Sequence, residues 1–304
     1  DLVREAMQAG AVGLSTALIY PPATYARTEE LVALAKVAGQ YGGRYFTHMR
    51  NEGDQLLESL DEALEIGRAA GAPVHIFHLK AAGKQNWDKM GLALARIKAA
   101  RAAGQQVSAD VYPYINNGLG LQSFVHPRHF AQGHGAFLRG LEDPATRAAI
   151  RREMESEPGW ENWFRHIGYD WNGVVLGSLS SAPWSSHNGR TLAEIAQAPG
   201  SDPWDVFFDL LKTGAFAMPQ SMSEANKIEA MREPFVMFCT DVGPGGASHP
   251  RGHGSMPRVL GHYVRRLNAL SWERAVAQMS AAATQELFEP DRGRIAAGLA
   301  ADLV

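Results

Sequence analysis

The sequence predicts an α/β protein built on a parallel sheet, on three observations. Short β-rich runs alternate with helix-period segments of a dozen or more residues. The runs are near-continuously apolar instead of cleanly alternating, as suits strands buried on both faces. The strand–helix unit recurs at about 30 residues, so neighbouring strands run parallel in a barrel or a doubly wound sheet.

Taken in order, residues 1–10 read as an amphipathic helix and residues 11–16 as the first strand. Thr28 is placed to cap a helix running to Gly42, with Glu29 and Glu30 in the first turn where the helix dipole favours them. Residues 44–48 form the second strand. Asp54 is placed to cap a helix whose apolar stripe is Leu56, Leu57, Leu60, Ala63, Leu64 and Ile66, ended by Gly71. Residues 73–78 and 106–111 are the third and fourth strands, separated by a helix over 87–103. Regularity then breaks at residues 115–220, a stretch rich in Trp and Pro that reads as an excursion from a strand end, with a short strand over 173–177. The pattern resumes with a strand over 234–240 and helices over 256–269 and 271–287, and residues 300–304 look like the start of another strand.

Composition excludes several classes. The chain has 304 residues, 45% hydrophobic and 20% charged, which are globular proportions. A net charge of −3 offers no field for nucleic acid or an anionic membrane surface. Cys239, the single cysteine, rules out an internal disulfide but does not fix the compartment. No run of about 18 apolar residues is present to cross a bilayer.

The chemistry gathers at strand ends. His48, His78 and Asp241 each close a predicted strand or lie just past it, and in a parallel barrel those ends share one face. A lone histidine there is ordinary loop polarity. Two with an aspartate in register supply neutral nitrogen ligands for a borderline ion such as Zn²⁺ and a carboxylate to ligate it or take a proton from water. Lys80, two residues past His78, shares its face and is suited to hold a substrate anion or polarise a carbonyl, unless it is a solvated strand-end lysine. Asp110, Tyr112 and Tyr114 also share a face; Tyr112 either donates its hydroxyl to substrate or fills the barrel mouth. The glycine-rich loop over 242–251 lacks a phosphate-loop ending but can bring Arg251 to a carboxylate. His249 and His253 in that loop fit substrate-side or structural roles better than ligation. Cys239 reads as a buried, inert thiol, and His126, His129 and His134 as loop polarity.

These residues resemble a known family. Gly10-Ala11-Val12-Gly13-Leu14-Ser15-Thr16, Thr47-His48-Met49-Arg50-Asn51-Glu52, His78-Leu79-Lys80, Asp110-Val111-Tyr112-Pro113-Tyr114 and His249-Pro250-Arg251 occur in that order in N-acyl-D-amino-acid deacylases, the D-aminoacylases of the amidohydrolase superfamily. The resemblance implies a metal-dependent (β/α)₈ barrel, here a partial one of about strands four to eight over residues 1–288, with 289–304 starting a return to a small β-sandwich. It implies one tight zinc site with room for a second, weaker one, His48 and His78 as ligands, Asp241 as general base, and Lys80, Tyr112 and Arg251 on the substrate. The implied reaction is hydrolysis of the amide of an N-acyl-D-amino acid, a small molecule, with Asp241 passing the proton to the leaving amine. The family's His-x-His and its metal-binding cysteine are expected upstream of residue 1, so this stretch by itself is expected to be inactive. The run Ile115-Asn116-Asn117-Gly118 departs from the family's pattern and leaves the preferred side chain open. Alternatives are an amidohydrolase acting on cyclic amides or D-dipeptides, and an inactive barrel serving as a binding module.

Overall fold

Five strands lie side by side in one parallel sheet in the order β1 (Gly13–Ala17), β2 (Arg44–His48), β3 (Val74–Ile76), β4 (Val107–Val111) and, after an excursion holding β5 to β7, β8 (Val236–Phe238). This computed structural model describes residues 1–180, 182–197, 201–243 and 249–303. The strand order follows chain order without reversing, so the sheet has no switch point of the doubly wound kind and instead forms an arc of a barrel. Tyr45 pairs with Val74, Val74 with Val107, and Ala109 with Val236, which sets these interfaces in register.

Register divides the sheet into two unlike faces. Tyr45, Val74, Ile76, Val107, Ala109, Val111 and Val236 point to one side and join a core closed by the helices α2 (Thr28–Gln40), α3 (Leu56–Ala70) and α4 (Lys89–Ala102), while α1 (Leu2–Gln8) packs on α2. Leu31 and Ala35 of α2, Leu56, Leu60, Ala63 and Ile66 of α3, and Met90, Ala93, Leu94 and Ile97 of α4 form the apolar stripes that pack there. The opposite face carries Phe46, His75, Ser108 and Asp110. It is therefore not the continuous apolar surface the sequence suggests, because three of its buried positions are polar and hydrogen-bond one another.

Two expected caps act differently. Thr28 is the first helical residue and its hydroxyl donates to Glu62 at 2.7 Å, while Asp54 lies ahead of the helix and accepts from Asn86 at 2.9 Å. The far end of α3 is as expected: Gly71 takes φ +63°, a left-handed stop that costs glycine nothing.

The excursion has its own three-stranded antiparallel sheet, β5 (Leu119–Gly120), β7 (Phe216–Pro219) and β6 (Val174–Gly177) in spatial order. Its core is aromatic: Phe164 stacks on Trp171 at 4.4 Å, and Trp204 and Phe207 close round them. A helix over Arg251–Arg258 begins five residues earlier than the sequence suggests and runs through Pro257 into π-helical turns over Val259–Arg266. Proline removes one amide donor, and the widened turns absorb the mismatch. Two further helices, Trp272–Met279 and Ala281–Glu286, replace the single one expected, and the described residues 300–303 form no strand. No described helix is long and apolar enough to cross a membrane.

Leu60 is fully buried and Leu92 of α4 is 54% exposed. Leu60→Ala is therefore expected to cost about 2–5 kcal/mol of stability and Leu92→Ala about 0.5 kcal/mol or less. Denaturant midpoints at unchanged slope check both.

Candidate metal centre

The C-terminal ends of β1 to β4 open onto a cavity of about 240 Å³ whose wall includes Tyr20, His48, Glu52, His78, Lys80, Tyr112, Trp163 and Asp241. His48 is the last residue of β2. His78 follows β3 in a left-handed conformation, φ +38°, and Asp241 follows β8 at φ +50°. Such angles cost a side-chain-bearing residue about 1–3 kcal/mol and persist where the surroundings enforce them.

The imidazoles of His48 and His78 meet edge to face at 4.4 Å between centroids. Glu52, four residues past His48, projects between them and is almost fully buried. One carboxylate oxygen, Oε1, accepts from Lys80 Nζ at 2.5 Å and lies 3.0 Å from His78 Nδ1. The other, Oε2, faces His48 Nε2 at 3.4 Å, and neither of these two buried atoms has a hydrogen-bond partner. Ligand atoms of His48, Glu52 and His78 all lie within 4.8 Å of one another. Two imidazole nitrogens and a carboxylate are a zinc donor set, and the two unpartnered atoms are what a cation between them would satisfy. The residues present therefore fit a metal ion.

Electrostatics agrees. Burial holds the His48 imidazole well below its usual value against the opposing pull of Glu52, so its nitrogens are neutral and able to ligate. Burial by itself raises Glu52, but His48, Lys80 and His78 outweigh it and keep the carboxyl well below the usual range. Burial pushes the Tyr112 hydroxyl well up, leaving it a donor at any ordinary pH.

Around this cluster the other expected residues take distinct places. Lys80 is buried and donates to Glu52 and to His78 Nδ1, the latter at 2.7 Å, which leaves one of its three protons for the cavity. Arg251 opens a helix instead of sitting in a loop. Its Nη1 is 2.7 Å from Asp241 Oδ2, its guanidinium lies 4.4 Å over the Tyr112 ring, and it is not part of the cavity wall. His249 is committed to backbone: Nε2 donates to Asn116 O at 3.1 Å and Nδ1 accepts from Arg251 N–H at 3.0 Å, so it is no ligand. His253 is exposed. Of the glycine-rich loop, residues 244–248 lie outside the described residues. His129 pairs with Glu153 at 2.6 Å, away from the metal cluster. Cys239 lies just past β8, and burial with Asp110 beside it pushes the thiol well up, in keeping with an inert sulfur.

Three participants were not singled out by the sequence reading. Glu52 carries a signal in retrospect, an acid four residues beyond the ligand-competent His48. Lys227 sits on the buried face of its helix with Ala230 and Met231, three and four residues on. Burial lowers its ammonium to about 7, and Nζ stands 4.4 Å over the Tyr112 ring with no hydrogen-bond partner. Glu161 comes from the excursion; its Oε2 accepts the Glu52 N–H at 2.9 Å and its Oε1 lies 3.0 Å from His166 Nε2. Gly53 makes that docking possible, because a Cβ there falls 2.2 Å from the His166 ring. A second cavity of about 610 Å³, walled by Ile19, Val125 and Phe130 among others, shares Tyr20 and Trp163 with the first.

No family model matches the chain. The chain is 33% identical over 308 residues to an N-acyl-D-glutamate deacylase of Alcaligenes xylosoxydans xylosoxydans, an alignment covering 100% of this chain and 53% of that protein. Among solved structures, the N-acyl-D-glutamate deacylase of Bordetella bronchiseptica, complexed with zinc and a phosphonate mimic of the tetrahedral intermediate, superposes with a TM-score of 0.79 at 30% identity, over 99% of this chain and 54% of that one. A D-aminoacylase described as defining a novel subset of amidohydrolases superposes at 0.76 and 30% identity, over 98% and 53%. The chain thus spans about half the length of the relatives it matches.

Burial and the nearby Arg251 lower His249 from 6.5 to about 4, so the folded state holds the neutral ring. Its contribution is complete above pH 6.5 and is lost as pH falls from there towards 4, the window in which only the unfolded chain takes up the proton. His249→Gln is expected to flatten the acid limb of stability in that window. Urea midpoints against pH check it, and an unchanged limb counts against the assignment.

Proposed function

The chain is a homologue of the D-aminoacylase family of amidohydrolases, and on that footing we propose that it forms the metal-binding part of a zinc-dependent hydrolase of N-acyl-D-amino acids. The observation that carries the reading is the buried His48, Glu52 and His78 cluster at the floor of a cavity whose rim holds Asp241. His48 and His78 would hold the zinc, with the Glu52 carboxylate as a third donor. A zinc ion bound there would supply Lewis acidity and lower the pKa of the attacking water.

The remaining roles belong to the protein's own side groups. Asp241, on the cavity wall and one-third exposed at its side chain, takes the proton of the attacking water and returns it to the leaving amine. Arg251 acts from behind by orienting Asp241 through their 2.7 Å ion pair. Lys80, held on Glu52, offers its remaining proton to the substrate carboxylate, and Tyr112 donates its hydroxyl to substrate. The larger apolar cavity beyond Tyr20 and Trp163 accommodates an uncharged portion of the substrate. In domain terms, residues 1–288 are part of a barrel carrying the excursion over 115–220.

Turnover of N-acetyl-D-amino acids by the full-length protein, set against their L-enantiomers, hydantoins and dihydroorotate, tests the reaction class. Hydrolysis confined to the linear substrates of D configuration is the expected result, and activity on cyclic amides alone would sink the proposal. Asp241→Asn is expected to lower kcat by about 10²–10⁴ with zinc content unchanged. Zinc lost along with activity makes Asp241 a ligand before it is a base.

A further inference from the structure

We propose that Asp110 is the positioning residue for His78: its buried carboxylate, anchored on His75, clamps the left-handed turn that aims the His78 imidazole into the metal cluster. The inference rests on the metal reading of His48 and His78 given above. Asp110 Oδ1 accepts the His78 N–H at 2.6 Å, and the Asp110 carbonyl accepts the next amide, Leu79 N–H, at 2.8 Å. One residue of β4 thus holds both amides of the turn in which His78 takes φ +38°.

The clamp is itself fixed. Asp110 Oδ2 pairs with His75 Nε2 at 2.8 Å, His75 Nδ1 with Ser108 Oγ at 2.8 Å, and Ser108 Oγ donates to Glu286 Oε2 at 2.8 Å. Glu286 is ion-paired to Arg44 at 3.2 Å, and its carbonyl accepts from Arg44 Nε at 3.0 Å. A continuous polar line therefore runs along the inner face of the sheet from the first residue of β2 to the turn after β3.

Stability alone does not account for this line. A buried ion pair rarely stabilises a fold more than apolar packing of the same volume, and the other face of this sheet is closed by Val, Ile and Ala. What the polar line secures is one backbone angle at a metal ligand. Asp110 is absent from the cavity wall, so its action passes through His78.

The test is zinc affinity of the full-length protein, measured by chelator competition on metal-free samples, with cobalt substitution to report the ligand field. Asp110→Asn keeps an oxygen for the His78 N–H and is expected to bind zinc within about threefold of the parent. Asp110→Leu removes the clamp and is expected to lose about 10–100-fold, the range for residues that orient a ligand, with a shifted cobalt spectrum. If the leucine variant does not fold, Asp110→Ser, too short to reach His78 but polar beside His75, carries the same expectation. Unchanged affinity and spectrum in the leucine or serine variant overturns the proposal, as does an asparagine variant as weak as they are. His78→Ala in the same titration separates the two levels. Affinity lost there and kept in Asp110→Leu rejects the clamp alone, whereas affinity indifferent to His78→Ala rejects the metal reading and the clamp with it.

Discussion

A carboxylate sunk among two imidazoles and an ammonium is the constraint on which the rest of this site depends. Removing Glu52 from water costs several kcal/mol; Lys80 offsets this at one oxygen, the other is left facing His48 Nε2 where a cation would fit, and Glu161 satisfies the Glu52 backbone amide. No single strand provides them. The end of β2, the turn after β3 and the excursion must each arrive at the same point, and the parallel sheet brings the first two there by register. Lys80 is consequently a bifunctional residue, neutralising Glu52 while keeping one proton directed at the cavity.

The second constraint is backbone conformation. His78 and Asp241 both leave their strands through left-handed angles, and each is held by a charged neighbour from another element, Asp110 for the first and Arg251 for the second. Placing reactive side chains just beyond strand ends frees them from the pleat that would otherwise fix their direction. The surrounding ion pairs then choose that direction. Tyr112 is fixed in a comparable way, with the Arg251 guanidinium and the Lys227 ammonium each 4.4 Å from its ring.

Much of this was legible in the order of residues. The parallel sheet followed from apolar runs separated by helical periods, and the strand over 44–48 was located to the residue. His48, His78, Lys80, Tyr112 and Asp241 stood out because chemistry-bearing residues at strand ends must share a face, and the structure brings all five to one cavity. Arg251 was expected there too but lies behind it, since a glycine-rich segment that reads as loop is helical from that residue on. What was not legible depended on distant neighbours. Glu161 is 109 residues from Glu52, and no local period links them. The polar character of the inner face was masked because Ser108 and Asp110 lie within a run otherwise apolar enough to look buried on both sides.

The excursion's docking point at Glu52 also bears on how the molecule reaches its working state. The bond from Glu161 to the Glu52 amide closes a loop of 109 residues, and the pairing of β4 with β8 spans the same excursion. Long closures form late, because their entropy is spent before the contact returns anything. The excursion is therefore tied into the molecule at two distant points, the Glu52 amide and the β4–β8 pairing that it separates in sequence. Competence to bind metal is thus linked to two long closures, the excursion's docking at Glu52 and the joining of β8 to β4, and not to the local strand–helix units alone.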